Sequence, residues 1–526
     1  MPNNPSNTSA AYLRSRVGRV CVAIHATTVA ELLERAEAAL AESSFLEFRL
    51  DALEKMEKHA TAVGHVAQIG KFLAAHSQIV AIATCRRKAF GGGFSGTLHE
   101  ELEILHRASE AGFSLLDVEI ESAEECETQL FDNLREAWLE AGAALMISFH
   151  DYEKAGDPDS VFARIQNFAP DFVKIVSSAR CLSDSLHMLR WIEERSGEAQ
   201  LVGIAMGEAG IVSRILSLRA GSAFTFAASP VGDPTAPGQM TARTLKELYR
   251  IEDLDQATRI YGVAGNPIAH SLSPLMQNTA FRRERINAIY LPLKSEKVED
   301  LLSLIRGLPL SGLSVTMPLK LQLLPFLTNV DPLTAKLGAC NTIRMGADGK
   351  LYGFNTDVAG IIRPLEKRLP LKGARVLVLG AGGAARAAVF GLVEKGAEVS
   401  VWSRNEHSAN DLAAAARAKS VSRKVIAASA FDVMINATPC GMHGSAHEMP
   451  LEPEEWKARL VFDLVYNPLD TPLLQLARKR GFATIQGVEM FVQQGARQFE
   501  LWTGKAAPEA EMLRVVLFAL NKAQHP

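Results

Sequence analysis

The sequence predicts an α/β protein: an N-terminal barrel of eight parallel strand–helix units, then a second α/β body that contains a nucleotide-binding fold. Three observations carry this reading. A strand-then-helix pattern repeats eight times between Val17 and about Ala228. The run Gly380-Ala381-Gly382-Gly383-Ala384-Ala385 stands between an apolar strand and a helix. At 526 residues the chain is too long for one ordinary domain.

Composition narrows the class. A hydrophobic content of 48% with 22% charged residues is that of a globular chain, and a net charge of −3 gives no bulk attraction to nucleic acid. The six cysteines form no C-x-x-C pair, which argues against a metal site and suits a reducing, cytoplasmic setting. No apolar run is long enough to span a membrane. Residues 1–16 have no acids and no apolar h-region and are expected to be a disordered tail. Small-molecule partners are expected, with monomer and dimer both open.

The eight expected barrel strands are Arg19–His25, Phe45–Asp51, Ile79–Arg86, Leu115–Glu121, Ala144–His150, Phe172–Val176, Leu201–Met206 and Ala223–Ala227. An open doubly wound sheet also alternates strand and helix. Here no glycine-rich phosphate turn follows the first strand, and the count of eight closes a (β/α)8 TIM barrel.

Barrel chemistry collects at the C-terminal strand ends. Those ends carry Glu47 and Arg49, Thr84 and Arg86, Asp117 and Glu119, Ser148 and His150, and Lys174, with Arg214 after strand seven. Lys174 sits in the apolar run Asp171–Val176, where burial disfavours an ammonium. With cations nearby to lower its pKa further, it is expected to be a nucleophilic amine that forms an imine with a ketone. The guanidinium forks of Arg49, Arg86 and Arg214 suit a carboxylate. Glu47 and Arg49 are expected to orient each other or hold hydroxyls. His150 is the proton carrier.

In Glu47-Phe48-Arg49, Thr84-Cys85-Arg86, Ser148-Phe149-His150-Asp151, Phe172-Val173-Lys174, Ser213-Arg214 and Ala236-Pro237-Gly238-Gln239, this half resembles type I 3-dehydroquinate dehydratase. The resemblance implies a Lys174 imine and His150 as acid and base. It also implies dehydroquinate binding by Glu47, Arg49, Arg86, Arg214, Thr235 and Gln239, with a lid that bears Gln239. One departure stands out. Where many family members carry a Glu before the double glycine, this chain has Phe90, so Asp117 or Glu119 is the candidate to orient His150.

Thr241–Arg250 is expected to be helical and Ile251–Thr258 a short charged connector. Beyond it, Arg375–Leu379, the glycine run and a helix from Arg386 to Glu394 form a Rossmann dinucleotide unit, its pyrophosphate on the helix N-terminus. The next strand, Glu398–Trp402, ends in Ser403-Arg404 with no ribose-binding acid, which favours NADP. Asn436 and Thr438 follow a further strand, on the nicotinamide side.

Ser271-Leu272-Ser273-Pro274, Val315-Thr316 with Pro318 and Lys320, Gly338-Ala339 with Asn341-Thr342, Asn355-Thr356-Asp357, the glycine loop, and Gly487, Met490 and Gln494 together resemble shikimate dehydrogenase. That resemblance implies Lys320 and Asp357 as the catalytic pair. It implies Ser271, Ser273, Thr316, Asn341, Asp357, Tyr466 and Gln494 around shikimate. It also implies Gly380, Ala381, Gly382, Gly383, Ala384, Ser403, Arg404, Asn436, Thr438 and Gly487 around NADP. The expected domains are a dehydratase barrel at 17–250, a linker at 251–258, a substrate domain at 259–360, a Rossmann domain at 361–488 and returning helices at 489–526. The expected chemistry is a dehydration whose product the second half reduces. A quinate dehydrogenase, or a sensor built from inactive enzyme domains, is the rival reading.

Overall fold

The computed structural model describes residues 17–154, 156–442, 444–445 and 449–524. The tail expected at 1–16 lies outside them. The chain divides into two compact units. The first runs to Thr258 and includes Leu293–Ser295 and Glu299–Leu308; the second holds the remainder.

Apolar runs rich in Val, Ile, Leu and Phe make the first sheet: β1 (Val20–Ile24), β2 (Phe45–Arg49), β3 (Val80–Thr84), β4 (Leu115–Glu119), β5 (Ala144–His150), β6 (Phe172–Ser178), β7 (Leu201–Met206) and β8 (Thr225–Ala228). All neighbours pair in parallel, and β1 pairs with both β2 and β8, so the sheet curls into a nearly closed barrel. Cys21, Phe45, Ile82, Met146, Phe172, Val202 and Phe224 fill its interior. Phe224 stands edge-on to Phe45, with centroids 4.9 Å apart. Inward residues alternate along each strand. The side of β2 that buries Phe45 therefore also presents Glu47 and then Arg49 at the mouth.

The helices between strands start on hydroxyl caps where the sequence supplies them. Thr28 accepts from Glu31 N, and Thr97 forms a capping box with Glu100. One expectation changes at the barrel's end. Helical turns span Thr244–Leu248, in π geometry, rather than all of Thr241–Arg250. The short connector is packed onto the barrel: Ile251 is fully buried, and Gln256 exchanges hydrogen bonds with the backbone and side chain of Arg219.

The second unit holds two six-stranded sheets. The first comprises β9 (Arg259–Gly265), β10 (Ala288–Lys294), β11 (Leu310–Val315), β12 (Asn329–Val330), β13 (Thr342–Met345) and β14 (Leu351–Phe354), in the order 10-9-11-13-14-12. The second comprises β15 (Arg375–Leu379), β16 (Glu398–Trp402), β17 (Lys419–Ser420), β18 (Phe431–Asn436), β19 (Ala458–Asp463) and β20 (Ala483–Ile485), in the order 17-16-15-18-19-20. It is parallel throughout, with the strand order reversing at β15, where a doubly wound sheet opens its ligand crevice. Helices Asp357–Glu366 and Gly487–Thr503 pack closely, because Gly360 has no side chain to hold off Met490 O and Gln494.

Gly312 of β11 faces Trp502, whose Nε1 donates to Ile343 O at 2.9 Å. A Cβ at position 312 would stand 2.4 Å from that nitrogen. Gly312→Ala is therefore expected to destabilise the second unit by about 1–3 kcal/mol, read by denaturant unfolding.

Candidate functional site

Strand register builds the barrel mouth. Glu119 lies beside Ser148 and Ser148 beside Lys174, so β4, β5 and β6 deliver their polar groups at one level. Lys174 is only 4% exposed. Its Nζ donates to Asp117 Oδ2 at 3.0 Å and to Glu47 Oε1 at 3.3 Å, and sits 4.3 Å from the centre of the Phe226 ring. Thr84 Oγ1 donates to both carboxylates.

This overturns the expected depression of the lysine pKa. Burial does pull it down, and Arg86 adds to that. The carboxylates of Asp117 and Glu47 outweigh both, and Lys174 lies above the ordinary lysine value. Asp117 is buried too, yet Lys174 and Arg86 hold it well below the usual carboxylate range. The sequence showed the cations around Lys174 but not which acids would touch it.

The partner of His150 is Glu119. Its oxygens lie 3.0 and 3.1 Å from Nδ1, and it also accepts from Arg86 Nε at 2.8 Å and Ser148 Oγ at 2.9 Å. With two other donors on Glu119, the carboxylate is the acceptor and Nδ1 carries the hydrogen, which leaves Nε2 as the base. Burial first, then the charges of Arg86 and Lys174, push His150 well below its ordinary pKa. Tyr152 stacks on the imidazole at 6.0 Å with the planes 19° apart. Gly91 makes room for it, since a Cβ there would lie 2.2 Å from the Tyr152 ring. Phe90 packs under the Arg87 guanidinium instead.

The three expected carboxylate forks differ. Arg49 does not pair with Glu47, as expected, but forms two bonds to Asp51, at 2.9 and 2.7 Å. Arg86 is engaged by Glu119 and Asp117. Arg214 makes no ion pair with any described residue. It is 2% exposed, donates to Phe226 O at 2.7 Å, and is lowered to about 10 by burial. Arg214 lines the same small cavity as Lys174, His150, Glu47 and Gln239. Over that cavity, Gln239 Oε1 accepts from both the N and Oγ1 of Thr235, and Pro237 O accepts from Gly207 N. Asp51, Tyr152 and Phe226 were missed; Asp51 alone left a signal, an acid two residues from Arg49.

In the second unit Lys320 Nζ donates to Asp357 Oδ2 at 2.8 Å, and Asn341 Nδ2 donates to Asp357 Oδ1 at 2.8 Å. The antiparallel β13–β14 pair sets Thr342 opposite Phe354, which brings Asn341 beside residues 355–357. The Asn341 amide is fixed in turn, because its Oδ1 accepts from Thr356 N and Thr342 Oγ1, both at 2.8 Å. Gln498 Nε2 donates to that threonine at 3.1 Å. Of the other expected ring-binding residues, Ser271 and Tyr466 line a cleft of about 660 Å³ together with Ala384 and Thr438. Ser273 is buried at the start of helix Ser273–Arg283, and Thr316 follows β11 against Gly265. Gln494 lies against Gly360, its amide turned onto Phe491 O.

The glycine loop fits a pyrophosphate. Gly380 has φ 115° and would set a Cβ 2.9 Å from Ala437 O, so only glycine suits it. A Cβ at Gly382 or Gly383 would meet nothing, which leaves open space before helix Gly383–Glu394. Ala381 lies between Gly380 and Gly382. Ser403 and Arg404 follow β16, and Arg404 is exposed with no ion pair to any described residue. Gly487 begins helix Gly487–Thr503 against Val465 O. Among the described residues, no cluster of His, Cys, Asp and Glu is built to hold a metal, and no helix is long and apolar enough to cross a membrane.

Four family models match the chain. Residues 20–256 match type I 3-dehydroquinase. Residues 263–343 match the shikimate dehydrogenase substrate binding domain, 364–467 shikimate/quinate 5-dehydrogenase, and 487–517 the shikimate 5′-dehydrogenase C-terminal domain. The chain is 34% identical over 460 residues to a chloroplastic bifunctional 3-dehydroquinate dehydratase/shikimate dehydrogenase of Arabidopsis thaliana, covering 82% of this chain and 74% of that one. It is 37% identical over 271 residues to a shikimate dehydrogenase (NADP(+)) of Maridesulfovibrio salexigens, covering 50% of this chain and 98% of that one. A solved shikimate 5-dehydrogenase of Thermus thermophilus, in complex with NADP(H) and shikimate, aligns at TM-score 0.47 and 35% identity over 50% of this chain and 100% of that one.

The His150 geometry sets a pH expectation. Its folded pKa is depressed, so the ring sheds its second proton below the ordinary value near 6.5 and is neutral above it. A ¹⁵N NMR titration is expected to place the His150 midpoint below 6.5 with Nδ1 protonated in the neutral form; a midpoint above 6.5 contradicts this.

Proposed function

We propose roles for individual residues from one premise: this chain belongs to the family of bifunctional 3-dehydroquinate dehydratase/shikimate dehydrogenases. The chain works twice in the shikimate pathway. It is a lyase that dehydrates 3-dehydroquinate to 3-dehydroshikimate and an NADP-dependent oxidoreductase that reduces 3-dehydroshikimate to shikimate, serving aromatic amino acid biosynthesis. We assign the dehydratase to residues 17–250, the linker to 251–258, the shikimate-binding domain to 259–360, the NADP domain to 361–488 and the returning helices to 489–526.

The observation that carries the first assignment is Lys174, buried between two carboxylates beside a neutral histidine. Lys174 sheds a proton, for which Asp117 and Glu47 are the acceptors in reach, and attacks the ring ketone. Loss of water gives a protonated imine. That iminium carries the same positive charge as the ammonium, so the two carboxylates stay paired. His150 Nε2 removes a proton from the carbon beside the imine, and the electrons flow into the iminium to give an enamine. The ring hydroxyl then leaves as water, with a proton returned from His150. Hydrolysis of the imine frees the product and Lys174. Arg214 takes the substrate carboxylate, being the cation at the mouth without an acid of its own. Glu47, Arg49, Arg86, Thr235 and Gln239 surround the ring. Gln239 gives its oxygen to Thr235, so its amide N–H groups face the substrate hydroxyls.

In the second reaction the bound dinucleotide supplies hydride. Lys320, held by Asp357, gives a proton to the carbonyl oxygen being reduced, and Asp357 also binds a ring hydroxyl. Ser271, Ser273, Thr316, Asn341, Tyr466 and Gln494 complete the shikimate site. Gly380 through Ala384 receive the pyrophosphate, Ser403 and Arg404 the 2′-phosphate, and Asn436, Thr438 and Gly487 the nicotinamide side. We place the chain in the cytoplasm as a monomer or dimer; its six free cysteines suit a reducing compartment.

Borohydride added with dehydroquinate is expected to fix an adduct on Lys174 and to leave none in Lys174→Ala. An undiminished adduct in that variant refutes the imine role. Lys320→Ala is expected to lower dehydrogenase kcat by about 10²-fold or more, with the dehydratase rate of the same sample as control. Normal dehydrogenase turnover would remove Lys320 from the reaction.

A further inference from the structure

Asp463 plays no part in the roles above, yet one carboxylate there ties together two of the loops that line the 660 Å³ cleft. It is fully buried at the end of β19, opposite Asn436 at the end of β18. Asp463 Oδ1 accepts from Asn436 Nδ2 at 2.9 Å and from Val465 N at 3.1 Å. Its Oδ2 accepts from Thr471 Oγ1 at 2.6 Å. No cation pairs with it among the described residues, and burial raises its carboxyl to about 6.

The bonds run outward to the cleft. With its amide N–H on Asp463 and on Cys440 O, Asn436 must turn Oδ1 the other way, where it accepts from Thr438 N and Thr438 Oγ1 at 3.1 and 2.6 Å. Thr438 Oγ1 in turn receives Cys440 N at 3.2 Å. Asp463, with Cys440 O, therefore holds the Asn436 amide in the orientation that receives the Thr438 hydroxyl. The other arm, through Val465, sets the start of the segment carrying Tyr466. Ala437, Thr438 and Pro439 from the first loop and Leu464, Val465 and Tyr466 from the second all line the cleft.

We infer that Asp463 is a positioning residue for dinucleotide binding, acting through Asn436 on Thr438 and through Val465 on the loop after β19. The inference rests on the reading of this cleft as the NADP side of the dehydrogenase. The geometry, not the charge, is what matters. An asparagine at 463 keeps Oδ1 for Asn436 and Val465, and its amide can donate to Thr471, whose hydroxyl can accept. An alanine supplies nothing to either loop.

The test uses the full-length protein, with NADPH affinity from fluorescence titration alongside dehydrogenase kinetics. Asp463→Ala is expected to raise both the NADPH Kd and the NADPH KM about tenfold or more, with a smaller change in kcat. Asp463→Asn is expected to stay within about threefold of wild type. Asp463→Ala combined with Asn436→Ala is expected to lose less than the product of the two single losses, because the Asn436 arm is common to both. Should Asp463→Ala not fold, Asp463→Ser, whose single oxygen is too short to serve both loops, takes its place with the same expectation. Wild-type NADPH affinity in Asp463→Ala, additive losses in the double variant, or an Asp463→Asn protein as weak as Asp463→Ala each overturn the inference. A wild-type protein that binds no NADPH sinks the reading of the cleft itself.

Discussion

The barrel depends on compensating charge where water cannot. Four cations, Arg49, Arg86, Lys174 and Arg214, meet four carboxylates, Glu47, Asp51, Asp117 and Glu119, at a mouth where most of these groups are buried. Unpaired charges in such a place would be prohibitively costly. The pairing is uneven, however. Lys174 has two acids and Arg214 has none. The imbalance matches the roles proposed for these residues: a substrate carboxylate would complete Arg214, while an iminium would inherit the acids of Lys174. A site built to lower the lysine pKa would favour the first attack but would destabilise the iminium that follows. The raised pKa of Lys174 shows that the surroundings suit the cation.

Much of this was legible in the sequence because strands alternate. Once eight strands were placed, Glu47, Arg86, Asp117, Glu119, His150 and Lys174 had to share one rim. Bond partners were not legible, because they depend on register between strands. Asp117 and Glu119 lie on one strand two residues apart. Only the β4–β5–β6 register gives Asp117 to the lysine and Glu119 to the histidine. The pKa expectation failed for that reason. It counted cations near Lys174 and could not see that acids from β2 and β4 would be in contact.

The second unit shows the same division. The glycine loop, Lys320, Asn341 and Asp357 each sit in a run with a recognisable local pattern. Asp463 and Gln498 do not, since each acts on a neighbour contributed by another element. Gln498 reaches Thr342 from a helix more than 150 residues away in sequence. No spacing rule joins such positions; the sheet does.

The two lysines are handled in opposite ways, and the roles proposed for them account for it. The Lys174 side chain is 5% exposed and held by two carboxylates; that of Lys320 is 27% exposed and held by one. A lysine that bonds covalently keeps a positive charge through the middle of its cycle and gains from a sealed, doubly acidic seat. A lysine that delivers a proton must be recharged every turnover, so it needs a route to water and a single partner that can release its hold. Asp357 meets both needs because Asn341 fixes one of its oxygens and leaves the other to the lysine. The bond from Asn341 thus holds the carboxylate independently of the lysine, and Asn341 is itself fixed by Thr356 and Thr342.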